Sequence, residues 1–593
     1  MPARSFASLF PALALLAALG AGAALPPRQA AAQEAEKAQQ TTPAAQEARA
    51  PAENNGKPVE KVELGIQEYS DLPPRKHMVS AFTLKELSST ADHTKFKELQ
   101  GPFASGPEVT RACLKCHNKA GKQLRNNLHW TWEYVHPKTG QQLGKEYLVN
   151  NFCTNARGNE GMCAQCHAGF GRSSPDYDLN KLENIDCLAC HESTGKYYKL
   201  PPTRGNKACA VMFEGKKPID WAKTAQSVKM PGRNNCGMCH FYGGGGDNVK
   251  HGDLSSVLFD PPKDVDVHMS GAGAKLVCID CHVGSGHKWA GSRYDMTVGY
   301  DGRRPAGAPR EKAACTSCHT DSPHNSASII GIKLNGHVDK VACESCHIPS
   351  FARGGVATKV FWDWRTAGRL KNGVGYNEEG YIQGNGKPRH TYKSIKGSFK
   401  YGENVRPEYH WFDGVMRYTL VTDRFDPRKP VKINYFSGSY DDPKSRIYPF
   451  KKMRTMQPYD SGNNTLVYMH LWGDDKDAFW GNYDFQRAIT RGMKDAGLPY
   501  SGKYGFVETW SFWPINHMVA PKEKAVTCEE CHTRENGRLA NLTGFYMPGR
   551  DRWWWLDLLG WLAIFGAIAL VIVHTIARIV MKSRYGAPAE GKE

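Results

Sequence analysis

The chain has 593 residues, 40% of them apolar, with 59 glycines, 35 prolines and a formal charge of +18. That length allows several domains, and the apolar fraction is low for a chain that builds its core from side chains alone. Charge of this size invites a nucleic-acid reading, but 16 of the 18 cysteines fall in eight C-x-x-C-H motifs, which point elsewhere.

In chain order, the N-terminus places one arginine ahead of an apolar run from Leu9 to Leu25, followed by small residues. This reads as a secretory signal over 1–32, cleaved after Ala32; a retained anchor is the alternative. Residues 33–75 are rich in Ala, Gln and Glu and carry no aromatic before Tyr69, the composition of a disordered linker.

The motifs are CLKCH (113–117), CAQCH (163–167), CLACH (187–191), CGMCH (236–240), CIDCH (278–282), CTSCH (315–319), CESCH (343–347) and CEECH (528–532). In each, two thiols can form thioethers to one heme while the following histidine reaches back to the iron. A zinc half-site or a dithiol redox pair needs no histidine after every copy. The expected cofactors are therefore eight covalently bound hemes c. They are held by Cys113, Cys116 and His117; Cys163, Cys166 and His167; Cys187, Cys190 and His191; Cys236, Cys239 and His240; Cys278, Cys281 and His282; Cys315, Cys318 and His319; Cys343, Cys346 and His347; and Cys528, Cys531 and His532. Eight hemes bring about sixteen propionates, which offset the basic charge and remove the case for nucleic acid. Export agrees with this, since heme c is attached outside the bacterial cytoplasm.

CGMCH continues as FYGGGGDNVKHGDL. A P-loop needs G-x-x-x-x-G-K-[ST] after a strand; here Lys250 is followed by His251 and the upstream segment binds a heme. The glycines instead let backbone pass close to a flat macrocycle. On residue chemistry alone Lys250 reads as a propionate partner, although a metal can deprotonate and bind an amine.

Residues 76–548 are expected to form one octaheme domain, within which 348–527 is heme-free and aromatic-rich and covers the array. The fold expected is that of a multiheme cytochrome c, mainly α with extensive irregular loops packed around eight hemes. Little strand alternation is visible, and a helix is predicted over 484–496. At the C-terminus only Asp557 is charged between Leu556 and Val573, a stretch long enough to span a bilayer. Trp553, Trp554, Trp555 and Trp561 form an aromatic belt on one side, and Arg578, Lys582 and Arg584 lie on the other, placing a transmembrane helix over 553–581 and a cytoplasmic tail over 582–593. His574, inside that helix, reads either as an interfacial residue or as a ligand or quinone contact shared with a partner.

A heme with two protein ligands only transfers electrons, whereas one with an open face can bind substrate. Of 22 histidines, eight belong to the motifs; with His574 set apart, thirteen remain as sixth ligands. The favoured ones lie close in sequence to a motif: His129, His251, His268, His287, His324, His337 and His517.

DHTKFKELQGPFASGPEVTRACLKCH, HWTWE, NFCTN ahead of CAQCHAGFG, NIDCLACH and CGMCHFYGGGGDNVKHGDL resemble the octaheme tetrathionate reductase family, over Asp92 to about His532. The resemblance implies that the heme at Cys163 and Cys166 is catalytic. Lys250 would be its axial ligand with His167 set aside, the opposite face would be open, and the family's D-x-x-K would stand as Asp247 and Lys250. Asp247 and Cys153 would line the pocket, and the other seven hemes would be bis-histidine relays. Cys209 has no counterpart in the family pattern, so Cys153 reads either as its disulfide partner or as a free thiol facing a sulfur substrate. The C-terminal helix lies outside the family pattern, that of exported soluble proteins, and implies a quinol-linked membrane donor such as a cytochrome b.

The activity implied is that of a membrane-anchored reductase of anaerobic respiration, at the bacterial inner membrane with its heme domain in the periplasm. Its substrate would be tetrathionate or a related small anionic sulfur or nitrogen compound, with nitrite and hydroxylamine included. The alternatives are an electron conduit with all hemes bis-histidine, which the histidine count permits, and an oxidase like the hydroxylamine oxidoreductases, whose heme-linked tyrosine has no identifiable counterpart.

Overall fold

The computed structural model describes residues 91–149, 155–174, 176–195, 197, 199, 219–298 and 313–585. The signal sequence, the linker, His77, Cys153, Cys209 and the tail beyond residue 585 lie outside them.

Up to His347 the described chain is a succession of short helical turns and irregular connections. Most attachment motifs form a turn of this kind, as in Cys278–Cys281, Cys343–His347 and Cys528–Cys531. Cysteines three apart on a helical turn share one face, which lets both sulfurs reach one macrocycle. Helix α1 (Gly106–Cys116) follows the same rule: Pro107 opens it, where a missing N–H costs nothing, and Cys113 and Cys116 occupy its last turn. Helix α2 (Ile329–His337) is capped by the Ser328 side chain, which accepts from Gly331 N.

The heme-free section departs from the expected mainly-α fold. It holds a nine-stranded sheet: β1 (Thr358–Asp363), β2 (Asn377–Ile382), β3 (Pro388–Lys393), β4 (Gly397–Gly402), β5 (Glu408–Phe412), β6 (Val431–Lys432), β7 (Arg446–Asp460), β8 (Thr465–Leu466) and β9 (Tyr504–Pro514). The order is β6-β9-β7-β1-β4-β3-β2, with β5 and β8 also paired to β7. Strand β7 runs antiparallel to β9 in unbroken register from Phe450↔Pro514 to Asp460↔Tyr504, and parallel to β1 through Arg454↔Phe361. Alternation was invisible in the sequence because β7 is covered on both faces along most of its 15 residues. Doubly covered strands lose the in-out pattern.

Aromatic packing fills the space around the sheet. Trp362 and Trp364 are fully buried and stack with ring centres 5.0 Å apart, and Phe436 stacks on Phe450 at 4.4 Å. Helix α3 (Phe485–Asp495) closes this core with five buried residues, and its N-cap Asp484 accepts from Arg487 N, matching the helix predicted over 484–496. The chain ends in α4 (Trp554–Tyr585), exposed along its length and the one described helix long and apolar enough to cross a membrane. At 1.5 Å per residue its 32 residues are about 48 Å long, more than the ~30 Å hydrocarbon core.

Candidate functional site

Seven attachment histidines each face a second histidine. His117 faces His93 with ring centres 6.3 Å apart, and His191 faces His287 at 6.4 Å. His240 faces His129 at 6.1 Å, His282 faces His517 at 6.3 Å, and His319 faces His268 at 5.9 Å. His347 faces His324 at 6.3 Å, and His532 faces His337 at 6.2 Å. With metal–nitrogen bonds of about 2 Å, two imidazoles on opposite sides of one iron have ring centres roughly 6 Å apart, so each gap fits one iron.

The hydrogen bonds agree with that fit. Nδ1 of His191, His282 and His532 donates to the carbonyls of Lys229, Ala290 and Pro548 at 2.9, 2.9 and 2.8 Å. Across the gaps, Nδ1 of His129, His287 and His324 is held by the side-chain oxygens of Asn127, Gln123 and Asn335 at 2.8, 3.0 and 3.1 Å. Nδ1 of His337 meets the Lys333 carbonyl at 2.7 Å, and that of His517 meets the Asp253 carboxylate at 3.1 Å. Bonding at Nδ1 fixes the tautomer and aims Nε2 at the metal.

His167 breaks the pattern. Its Nε2 donates to the Trp130 carbonyl at 2.6 Å, the ring stacks on Trp130, and no second imidazole faces it among the described residues. The backbone differs too: ψ is 137° at His167 against 51°, 63° and 58° at His117, His282 and His532. The ring is swung out of the place an attachment histidine takes, and its metal-binding nitrogen is spent.

Cys163 and Cys166 instead border a cavity with about 1050 Å³ of empty volume, part of it open to solvent. Lys250 lines it, together with Gly243, Gly244 and Gly245, Lys145, Arg293 and Trp513. The glycine run thus brings bare backbone to the cavity wall. Lys250 is buried, its Nζ 5.0 Å from the Trp513 ring centre. Trp513 on β9 and Lys451 on β7 are register partners and share one sheet face. Both bear on the 250–252 loop. Lys451 Nζ donates to the carbonyls of Val249 and Lys250, each at 2.9 Å, and to Thr358 Oγ1 at 2.6 Å. Gly252, at φ +91°, allows this approach, since a Cβ there would lie 3.0 Å from the Lys451 side chain and 2.9 Å from Phe351.

Burial pushes the Lys451 ammonium well below the usual lysine range, with the Asp253 charge opposing it. The hydrogen bonds favour the charged form. The Thr358 hydroxyl donates its single proton to Asn248 O, so it and the two carbonyls all act as acceptors toward Lys451 and require three N–H donors.

Other expected site residues sit elsewhere. His251 faces no attachment histidine; its ring packs edge-on against Trp513 at 5.2 Å. Its neighbour Lys250 takes the cavity position, and adjacent residues in a turn point apart. Asp247 is not among the cavity-lining residues: its carboxylate accepts from Ser256 N at 2.8 Å and from Ser256 Oγ, which ties off the turn, and burial raises its pKa. Cys153 lies outside the described residues, two positions before cavity-lining Asn155. His93 stood among the thirteen possible sixth ligands but not among the favoured ones, and Lys145, Arg293, Lys451 and Trp513 were not singled out in the sequence. Arg293, Lys451 and Trp513 lie far along the chain from what they meet, and His93 carried a local signal, being a histidine 20 residues ahead of the first motif.

Known proteins match this geometry. A family described as Cytochrome c554 and c-prime matches residues 112–192 and 277–348, and one described as Cytochrome c bacterial matches 359–535. A crystal structure of octaheme cytochrome c from Shewanella oneidensis is 37% identical, covering 75% of this chain and 94% of that one, with a TM-score of 0.64. An uncharacterized protein of Archaeoglobus fulgidus is 27% identical over 34% of this chain and 82% of its own length. The protein is a multiheme c-type cytochrome that holds heme c covalently and works in electron transfer or reduction. It belongs to the octaheme tetrathionate reductase family of these cytochromes.

Proposed function

We propose that this chain is a membrane-anchored periplasmic octaheme reductase. The seven histidine pairs would hold hemes suited to relaying electrons, and Cys163, Cys166 and Lys250 would hold an eighth, suited to reducing substrate. The observation that carries the reading is the exchange at that attachment. His167 spends Nε2 on the Trp130 carbonyl, while Lys250 lines the cavity that Cys163 and Cys166 border.

When bound, the heme supplies one-electron transfer and an iron face open to substrate. The chain supplies the rest. Gly243 to Gly245 admit the macrocycle edge. Lys451 holds the Val249 and Lys250 carbonyls, which flank the Lys250 Cα, and this fixes the direction of the Lys250 amine. Lys145 and Arg293 place positive charge on the cavity wall and suit a small anion, while Trp472, Trp480 and Trp513 make part of that wall apolar. Cys153 is the thiol proposed for contact with a sulfur substrate, and Asp247 acts on the site by tying off the turn ahead of Lys250. For tetrathionate, two electrons cleave the central S–S bond and release two thiosulfates; nitrite and hydroxylamine fit the same open face. A quinol-linked membrane protein is the donor proposed.

The test is Lys250→Ala. It is expected to keep eight hemes attached, by pyridine hemochromogen content, and to abolish tetrathionate and nitrite reduction with reduced methyl viologen. Turnover near wild type would place catalysis elsewhere.

A further inference from the structure

The paired histidines include one set tied directly to the membrane helix. His532 Nδ1 donates to the Pro548 carbonyl at 2.8 Å, and Gly549 packs so closely that a Cβ there would lie 2.6 Å from the His532 carbonyl oxygen. Between them and α4 the chain is knotted around buried Arg550, which donates to the carbonyls of Leu539, Leu542 and Phe545 at 3.0, 2.6 and 2.8 Å and to Asp551 at 2.7 Å. Trp553 continues the knot by packing its ring 5.5 Å from that of Tyr546. Five residue steps lead from Pro548 to Trp553 and span at most about 18 Å. The His337–His532 gap is therefore held close to the aromatic belt that marks the bilayer surface.

The other attachments lead away from it in sequence of contact. Val526 N, two residues ahead of Cys528, donates to the Cys346 carbonyl at 2.9 Å, and Cys315 Sγ lies 3.7 Å from Glu344 Oε1, beside Cys343. From the 343–347 motif, Glu344 meets the Tyr448 hydroxyl at 3.1 Å, and that hydroxyl lies 2.8 Å from Asn516, beside His517. Arg233, on the helical segment that carries Cys236 and Cys239, donates to the Leu276 carbonyl at 2.5 Å, two residues ahead of Cys278, and the continuation of that segment at Tyr242 and Gly243 lines the same cavity as Cys163 and Cys166. The CEECH attachment and the Lys250 cavity stand at opposite ends of this succession.

We propose that the heme between His337 and His532 is the one through which electrons come in, from a carrier held in the membrane, and that they travel by way of the 343, 278 and 236 attachments to the Lys250 cavity. This rests on the reading that α4 spans a bilayer and that the paired histidines hold hemes.

The test uses the full-length holoprotein in phosphatidylcholine vesicles, with two donors: a viologen carrying a hexadecyl chain, which stays in the bilayer, and soluble methyl viologen. Each reduced viologen gives one electron to ferric iron and becomes the dication. The variant is His337→Met, whose methionine ligand would raise the potential of that one heme and trap the electron there. Reduction of the remaining hemes by the bilayer-held donor is expected to slow at least tenfold, and reduction by the soluble donor less than twofold. Equal slowing with both donors, or none with either, overturns the assignment. A low-spin spectrum unchanged by the substitution overturns it as well. Failure of the holoprotein to float with the vesicles defeats the membrane reading itself, and the proposal with it. If His337→Met does not fold, the wild-type protein is placed in vesicles bearing Gd³⁺-chelating lipid. One low-spin signal is then expected to relax much faster than the others, and uniform relaxation of all of them overturns the proposal.

Discussion

Replacing Lys451 with methionine should loosen the Lys250 loop without disturbing the relays. The side chain keeps nearly its length and loses three N–H donors, leaving the Val249 and Lys250 carbonyls with no ammonium in a fully buried site. Each buried acceptor stranded in this way costs about 1–3 kcal/mol. Removing a buried charge recovers part of that, so the net loss for the loop is about 3 kcal/mol. At 1.4 kcal/mol per factor of ten, the open loop becomes roughly 100-fold more populated. Hydrogen exchange at the amides of 248–252 should accelerate by that factor. Heme content should hold, and the one paramagnetic signal expected from the heme at Cys163 and Cys166 should broaden or change. Unchanged exchange over 248–252, with an unchanged spectrum, would refute the claim that Lys451 positions Lys250.

His93→Ala should open one low-spin heme to external ligands such as cyanide, because His93 faces His117 at 6.3 Å, whereas His251→Ala should leave every low-spin signal in place; optical titration with cyanide distinguishes the two. Asp247→Asn should keep most of the turnover, since an amide oxygen can still accept from Ser256 N, at a cost of about 1–2 kcal/mol in a urea unfolding curve; loss of activity on the scale of Lys250→Ala would mean that the carboxylate does chemistry. Asp253→Asn should raise the potential of one heme in a spectroelectrochemical titration. Among the described residues, the His517 ring is the one paired histidine whose Nδ1 meets a carboxylate, and such a partner makes the ligand more electron-rich.

The attachment motifs were legible because their chemistry is local: both sulfurs and the first ligand lie within five residues. Facing histidines obey no such rule. His129 follows the first motif by twelve residues yet faces His240, and His287 lies beside the fifth motif yet faces His191. Nearness to a motif marked them as ligands, but a flat cofactor presents its second face to whichever segment folds over it. The same nearness marked His251, which packs on Trp513 while Lys250 turns to the cavity. The ligand role proposed for Lys250 came only from the family resemblance, since a lysine after four glycines has a plainer use beside a propionate. The sheet was missed because β7 is covered on both faces, and the cavity's other cations were missed because Lys145 and Arg293 meet only in three dimensions.

The most direct test of the account is an electron paramagnetic resonance spectrum of the oxidised, detergent-purified protein, recorded again after adding nitrite and then tetrathionate. The account predicts seven low-spin signals that ignore both additions and one ferric signal, high-spin or exchangeable, that alone responds and is absent from Lys250→Ala. Eight low-spin signals unmoved by either ligand would contradict it and make the chain a conduit.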